Sequence, residues 1–377
     1  MMRIMVIALA TLEWVQGAPI IGGSGDWRYQ YMPELLQLPQ GAQVQDAHGL
    51  ELDDDGNILL TYTNWNNHGE GVQNGTDANC LIRWAPDGTG GAFLTGGGRA
   101  LCDGKPHGLK LAHEGGQSFL YHSNVDGNGT KLGAGKLTKT TLDGTIVWQL
   151  NGTFGQAAGG GGYRPTWWAV HEALGKFIYL ADGYGSSRVY VFTRDGKWTG
   201  RAFGGKGAAH GLFNQCHGIT YDPRSKQLAV ADRHNSRIEF FDFDAARGDT
   251  FAYAKTVNAS AERLPGFLPC NFRVLQGATL PALDGAAVVP ALEGPVAIFN
   301  ASNALVSVVD VAKLIGHLGS KHPHDAVFLR NGDLVVATWN PGYVSYWRRL
   351  PPTPAAAPSG RGRGLRRTTT YGQTVKR

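Results

Sequence analysis

Four of the twelve histidines in this 377-residue chain head the same short motif. They stand in His48-Gly49-Leu50-Glu51-Leu52, His107-Gly108-Leu109-Lys110-Leu111, His217-Gly218-Ile219-Thr220-Tyr221 and His324-Asp325-Ala326-Val327-Phe328. Two further segments carry the same pattern under other leads, Thr166 and Asn271. The leads fall at 48, 107, 166, 217, 271 and 324, in steps of 59, 59, 51, 54 and 53 residues. Three histidines with one open position are a common catalytic zinc arrangement. If successive leads occupy successive sectors of a ring, His107, His217 and His324 lie in alternate sectors, roughly 120° apart in a six-part ring. Imidazoles at equal depth then converge on the axis, their nitrogens within roughly 5 Å of one another, given zinc–nitrogen bonds of about 2.0–2.1 Å. Such a set favours Zn2+, because calcium and magnesium want oxygen ligands.

The elements that must position these residues are β-strands. Each lead opens a short apolar alternation, followed by a turn and a second β-rich run: residues 217–221, the turn Asp222-Pro223-Arg224-Ser225, then 227–231 and 237–243. Asp143-Gly144 and Asp195-Gly196 are hairpin signals before outer strands. A repeat of this length marks propellers and solenoids. Six copies predict an all-β, six-bladed β-propeller over residues 26–350. The last unit runs out of chain after residues 343–348, so the unpartnered N-terminal run 27–32 is expected to supply its fourth strand and close the ring. The 54 glycines suit a turn-dense β fold. A helical period is visible only at 304–318. An Asp–Arg pair recurs in matching places, Asp182/Arg188 and Asp232/Arg237, and is expected to brace a strand junction.

Residues 1–17 read as a secretory signal: Arg3, an apolar stretch at 4–12, and small residues near Gly17. A buried N-terminal strand is the alternative. The stretch is too short to span a bilayer. Sequons at Asn74, Asn128, Asn151, Asn258 and Asn300 agree with a secreted glycoprotein. Four cysteines are too few for a disulfide scaffold. Cys80 with Cys102, and Cys216 with Cys270, could bridge neighbouring blades, or all four could be free thiols. Residues 351–377 hold five Arg, one Lys and no acid, so the net charge of +5 comes from this tail. It reads as disordered and solvated, and no nucleic-acid partner is expected. A monomer is expected.

Certain motifs go further. Ala181-Asp182-Gly183-Tyr184, Ser187-Arg188-Val189, Cys216-His217-Gly218, Ala231-Asp232-Arg233, Arg237-Ile238 and Pro323-His324-Asp325 resemble NHL-type propellers. The closest pattern is that of the peptidyl-α-hydroxyglycine α-amidating lyase module of the peptide-amidating enzyme. The resemblance covers most of residues 26–349, is firm in blades 2, 3, 4 and 6, and is weak in blade 5. It implies zinc on His107, His217 and His324, a catalytic tyrosine at Tyr184 and an arginine at the same channel mouth at Arg233. It also implies a structural calcium on the Asp325 carboxylate and the carbonyls of Ala47 and Leu109. The chain departs from that pattern in places. No arginine stands in Tyr62-Thr63-Asn64-Trp65-Asn66, where the lyase binds the substrate carboxylate. Gly185, Ala229 and Glu239 stand where it has cysteines, and His322 where it has methionine. Two functions follow as expectations. One is a zinc-dependent lyase that splits a small peptide-like hemiaminal into an amide and an aldehyde acid, with a hydrolase on the same metal as a variant. The other is a non-enzymatic propeller with a structural metal, binding protein or glycan through Trp65, Trp167, Trp168 and Trp339.

Overall fold

A computed structural model describes residues 18–64, 79–126, 135–151, 163–258, 264 and 266–352. The expected signal (1–17) and most of the basic tail (353–377) lie outside them, as does Trp65. Six antiparallel sheets form a six-bladed β-propeller. Their innermost strands are Val44–Leu52, Pro106–Glu114, Trp167–Ala169, Cys216–Asp222, Arg273–Val274 and His322–Phe328. Five blades have four strands and the sixth has five. The N-terminal strand Trp27–Tyr31 pairs with Tyr343–Arg349 in the register Tyr29↔Arg349, Gln30↔Arg348 and Tyr31↔Trp347. The ring is therefore closed by the N terminus, and Ile21–Ser24 adds a further outer strand.

Each blade is covered by a neighbour on both faces, and this decides which residues make which strand. Inner and second strands are buried over most of their length rather than alternating: Phe177–Asp182 is buried at every position. The outer strand Trp27–Tyr31 returns to alternation. The core accordingly divides into clusters at the seams between blades. The seam between blades 1 and 2 is the smallest, with Leu59, Leu81, Leu109 and Leu120 at its centre. A disulfide between Cys80 and Cys102 lies beside it. Gly196, at a φ of 84° that a side chain would resist, makes the turn into the outer strand Trp198–Gly204.

Several expectations are corrected. Residues 304–318 are not one helix: Leu305–Asp310 is the outer strand of blade 5, and only Val311–Ile315 is α-helical, capped by Asp310 accepting from the Lys313 N–H. Cys216 and Cys270 are buried free thiols. Cys216 Sγ turns toward the Arg188 carbonyl, and Cys270 Sγ lies 3.7 Å from Arg233 Nη1. The Asp–Arg brace exists in blade 4, where Arg237 Nε donates to Asp232 at 2.8 Å. In blade 3 Asp182 instead accepts from Ser186 and from the Arg164 N–H, while Arg188 is exposed. Trp167 and Trp168 are fully buried, because both faces of their strand pack, and so cannot form a recognition surface.

Candidate metal centre at the channel mouth

All four lead histidines sit at irregularities of their strands. The ladder shifts register between Ala47 and Gly49, Pro106 and Leu109, Cys216 and Ile219, and Pro323 and Asp325. A bulge re-aims the side chain it carries, and here each imidazole is buried in the channel. The glycine after the histidine has its own cause. A Cβ on Gly108 would lie 2.3 Å from the Thr166 carbonyl oxygen, on Gly49 2.7 Å from that of His107, and on Gly218 2.6 Å from that of Cys270. Glycine thus lets the next blade close in to backbone contact. That approach anchors the ring. His107 Nδ1 meets Thr166 O at 3.0 Å, His217 Nδ1 meets Cys270 O at 2.7 Å, and His324 Nδ1 faces His48 O at 3.4 Å. A carbonyl accepts only, so each Nδ1 carries the proton and each Nε2 keeps its lone pair, the usual orientation of metal-ligating histidine.

The ring centroids of His107, His217 and His324 lie 4.9, 4.6 and 4.7 Å apart pairwise. His48 joins them, 4.5 Å from His107 and 4.7 Å from His324. Two triads therefore share His107 and His324. Candidate ligand atoms of His48, His107 and His324 lie within 4.8 Å of one another, so three buried histidines could hold a metal. In the triad of His107, His217 and His324, which the alternation of blades predicts, every Nδ1 faces a carbonyl of the next blade; the triad whose candidate ligand atoms all lie within 4.8 Å is the one that contains His48. His48 heads its strand like the other three, but the alternate-blade spacing does not mark it as a member of the cluster. Burial, reinforced by neighbouring histidines and Arg233, holds the His107, His217 and His324 imidazoles well below their usual 6.5, so all three are neutral, as ligands must be. His324 Nε2 is buried without a hydrogen-bond partner, an orphan that a cation would satisfy. The donor set and the orphan fit a metal ion.

Tyr184 and Arg233, from the turns between second and third strands, face the same cluster. The Tyr184 hydroxyl lies 3.0 Å from His217 Nε2 and 3.3 Å from His107 Nε2. Burial raises its pKa above 10, with Arg233 opposing. Arg233 Cζ lies 5.2 Å from the Tyr184 ring centre, and its Nε donates to Gln215 at 2.7 Å. Arg164, which no motif singled out, lies 5.7 Å from the same ring centre and pairs with Asp126 at 3.0 Å. The two leads that are not histidine tie blades together. Thr166 Oγ1 donates to His217 O at 2.6 Å, and Asn271 Nδ2 donates to Asp325 at 2.9 Å. Trp167 fills the channel beside the imidazoles, 6.0–6.4 Å from three of them. His322 Nδ1 faces Leu292 O at 3.1 Å, away from the cluster. Glu239, where the resembled family has a cysteine, is buried and paired with His210 at 2.7 Å and Arg237 at 3.2 Å.

The expected calcium set does not fit. Ala47 and Leu109 are buried on inner strands, but the Asp325 carboxylate already accepts from the Leu50 N–H at 2.8 Å and Asn271 at 2.9 Å. The Arg273 guanidinium stands 3.4 Å from its Oδ2. Burial raises Asp325 to about 6 against the pull of Arg273. A cavity of about 490 Å3 opens at the ends of the inner strands remote from their leads, lined by Lys110, His171, Tyr221 and Arg273 among others.

These features define a six-bladed β-propeller whose channel mouth carries a cluster of buried histidines. An NHL repeat is recognised at residues 213–241, the inner strands of blade 4. Part of the chain is similar to peptidylglycine alpha-amidating monooxygenase: 33% identical to the Rattus norvegicus protein over 116 residues, and 32% to the Xenopus laevis A form over 145. These matches cover 28% and 36% of this chain but only 11% and 14% of those proteins. Among solved structures, the XC5397 gluconolactonase of Xanthomonas campestris superposes with a TM-score of 0.53 at 15% identity, covering 88% of this chain and 92% of that one. A luciferin-regenerating enzyme does so at 0.51 and 11%, covering 82% and 93%. Those two likenesses show the fold alone. No helix among the described residues is long and apolar enough to cross a membrane.

Proposed function

We propose that this chain is a secreted, zinc-dependent carbon–nitrogen lyase that splits peptidyl-α-hydroxyglycine-like hemiaminals into a peptide amide and glyoxylate. The observation that carries this reading is the Tyr184 hydroxyl within 3.3 Å of the Nε2 atoms of two anchored histidines. A base-capable group and a ligand-capable pair thus face one small volume. The motifs around Tyr184, His217 and His324 and the homology to amidating enzymes support the same choice. Secretion rests on residues 1–17 and the sequons.

His107, His217 and His324 would hold the zinc, and when bound it supplies Lewis-acid polarisation of a substrate oxygen. The chain's own residues do the rest. With its pKa lowered by the field of a cation on the histidines, Tyr184 would take the proton of the substrate hydroxyl at Oη as general base. The hydroxyl oxygen's electrons form the aldehyde C=O, the C–N bond breaks, and the nitrogen regains the proton as the amide. Arg233 lies over the Tyr184 ring and offsets the cost of the buried phenolate, opposing the desolvation that raises it. Arg164 is the partly exposed guanidinium beside Tyr184, and stands in for the missing blade 1 arginine toward the substrate carboxylate.

The test is glyoxylate release from a peptidyl-α-hydroxyglycine by purified, zinc-loaded protein. Tyr184→Phe should lower kcat by about 10²–10⁴, the usual worth of a general base, with zinc content unchanged. His217→Ala should lose both zinc and turnover. Absence of release above a metal-stripped control would refute the lyase. Zinc that survives in His217→Ala but is lost in His48→Ala would move the site to the other triad.

A further inference from the structure

Arg273 is the first residue of the inner strand Arg273–Val274 of blade 5, and its side chain crosses the channel. Nη1 pairs with Glu51 at 3.1 Å, and Nη2 donates to the Leu50 carbonyl and lies 3.4 Å from Asp325 Oδ2. Its Cζ lies 5.9 Å from the Trp167 ring centre. One guanidinium from blade 5 thereby touches blades 1, 6 and 3. It is 7% exposed. Lys110 completes the balance on the same Glu51 oxygen, Oε2, at 3.0 Å.

A cation at a propeller axis has two physical tasks: it neutralises inward carboxylates, and it ties strands from several blades to one point. Arg273 performs both with a charge tethered to the chain. It engages one carboxylate oxygen of Asp325, one of Glu51 and a main-chain carbonyl, the ligand types a hard divalent ion would seek. Two positive charges cannot share that oxygen cluster without strong repulsion. The N–H donors of Leu50 and Asn271 also occupy Asp325 lone pairs that a calcium ion, with its six to eight oxygen ligands, would need.

We propose that Arg273 is the structural cation of this channel and stands in place of a bound calcium ion, so that the protein's folded state is independent of calcium. The inference does not depend on the lyase reading. It is tested by thermal unfolding of the full chain at fixed zinc, in calcium-depleted buffer and in several millimolar calcium. That range exceeds the roughly 0.1–1 mM dissociation constants of extracellular calcium modules. The wild-type midpoint is expected not to move, and equilibrium dialysis with radioactive calcium should find no bound ion. Arg273→Met keeps much of the stem and removes the charge; its midpoint should fall, and calcium should restore part of the loss with one ion bound. Calcium bound to the wild type at one ion per chain, and lost in Asp325→Asn, would overturn the proposal. A folded Arg273→Met protein indifferent to calcium would also overturn it. If Arg273→Met fails to fold, the dialysis result on the wild type decides.

Discussion

Gly108→Ala is the sharpest perturbation of the arrangement, because it adds one methyl group where blade 3 approaches blade 2. The new Cβ would lie 2.3 Å from Thr166 O, 2.7 Å from Ser123 Oγ and 3.0 Å from Trp167 Cα. Two of these three neighbours are backbone atoms, which cannot rotate away. Restoring an ordinary contact requires blade 3 to retreat by roughly 0.7–1 Å, which would stretch the 3.0 Å contact from His107 Nδ1 to Thr166 O beyond hydrogen-bonding range. Overpacking of this kind costs about 1–3 kcal/mol. Leaving a buried donor unsatisfied adds about 1–3 kcal/mol. The expected loss is therefore about 2–6 kcal/mol, or about 3–9 °C in Tm for a domain of this size. Because a ligating histidine without its Nδ1 partner typically binds metal about 10–100-fold more weakly, zinc affinity should fall by the same order. Chemical denaturation and a zinc titration of the folded protein measure the two effects separately. Gly316→Ala is the control, since a Cβ there meets only Lys321 Cγ at 3.7 Å. If Gly108→Ala stays within about 0.5 kcal/mol of the wild type, the range of an ordinary surface change, and keeps its zinc affinity, close blade approach is not what orients His107.

Two further outcomes follow from the charges around the channel. Burial alone would raise Glu51, but Arg273 and Lys110 bring it from the usual 4.5 down to about 2. A folded value below the unfolded one stabilises the fold fully above about pH 4.5, and the contribution disappears as pH falls toward 2. It is worth about 3 kcal/mol. Glu51→Gln should therefore be less stable by about that amount at pH 7 and lose less stability than the wild type between pH 4.5 and 2; parallel curves for the two proteins, read by denaturant midpoints, would contradict it. Arg164→Ala should raise KM for a carboxylate substrate about tenfold or more, the worth of a charged hydrogen bond, with little change in kcat. A fall in kcat at constant KM would show that Arg164 acts in the chemistry rather than in binding.

What was legible in the chain depended on whether a pattern repeats. The six leads announced the blades and the gathering of lead histidines at the axis, because every copy of a repeat places its lead at the same depth. The closing strand was legible because blade 6 lacked a fourth strand and residues 27–32 lacked a partner. Where a residue acts once, no pattern marks it. Arg273 reaches Glu51, 222 positions away, only because the ring brings blades 5 and 1 to a common axis. Trp167 and Trp168 looked like surface aromatics beside a lead, but a strand packed on both faces hides every side chain it carries. His48 is a lead that three-fold spacing does not place in the cluster, since that spacing points to alternate blades. The channel is narrow enough for adjacent leads to meet as well.

The position after each lead shows how the two kinds of residue fit together. In blades 1, 2 and 4 it is glycine, and the neighbouring blade comes into backbone contact there. In blade 6 it is Asp325, which reaches instead to the Leu50 N–H of blade 1. In blade 3 it is Trp167, whose indole packs against the imidazoles. The repeat supplies equivalent positions, and the side chains that break it divide the channel. Neutral imidazoles stand at one level. At another, Asp325 and Glu51 are balanced by Arg273 and Lys110. A metal held at the first level thus faces a channel whose acids are already neutralised by the chain. On this division, removing a metal from the histidines should not loosen the joint between blades 5, 6 and 1. Stripping zinc should accordingly lower the stability of this protein far less than Arg273→Met does, and the two unfolding midpoints, measured side by side, decide whether the levels are independent.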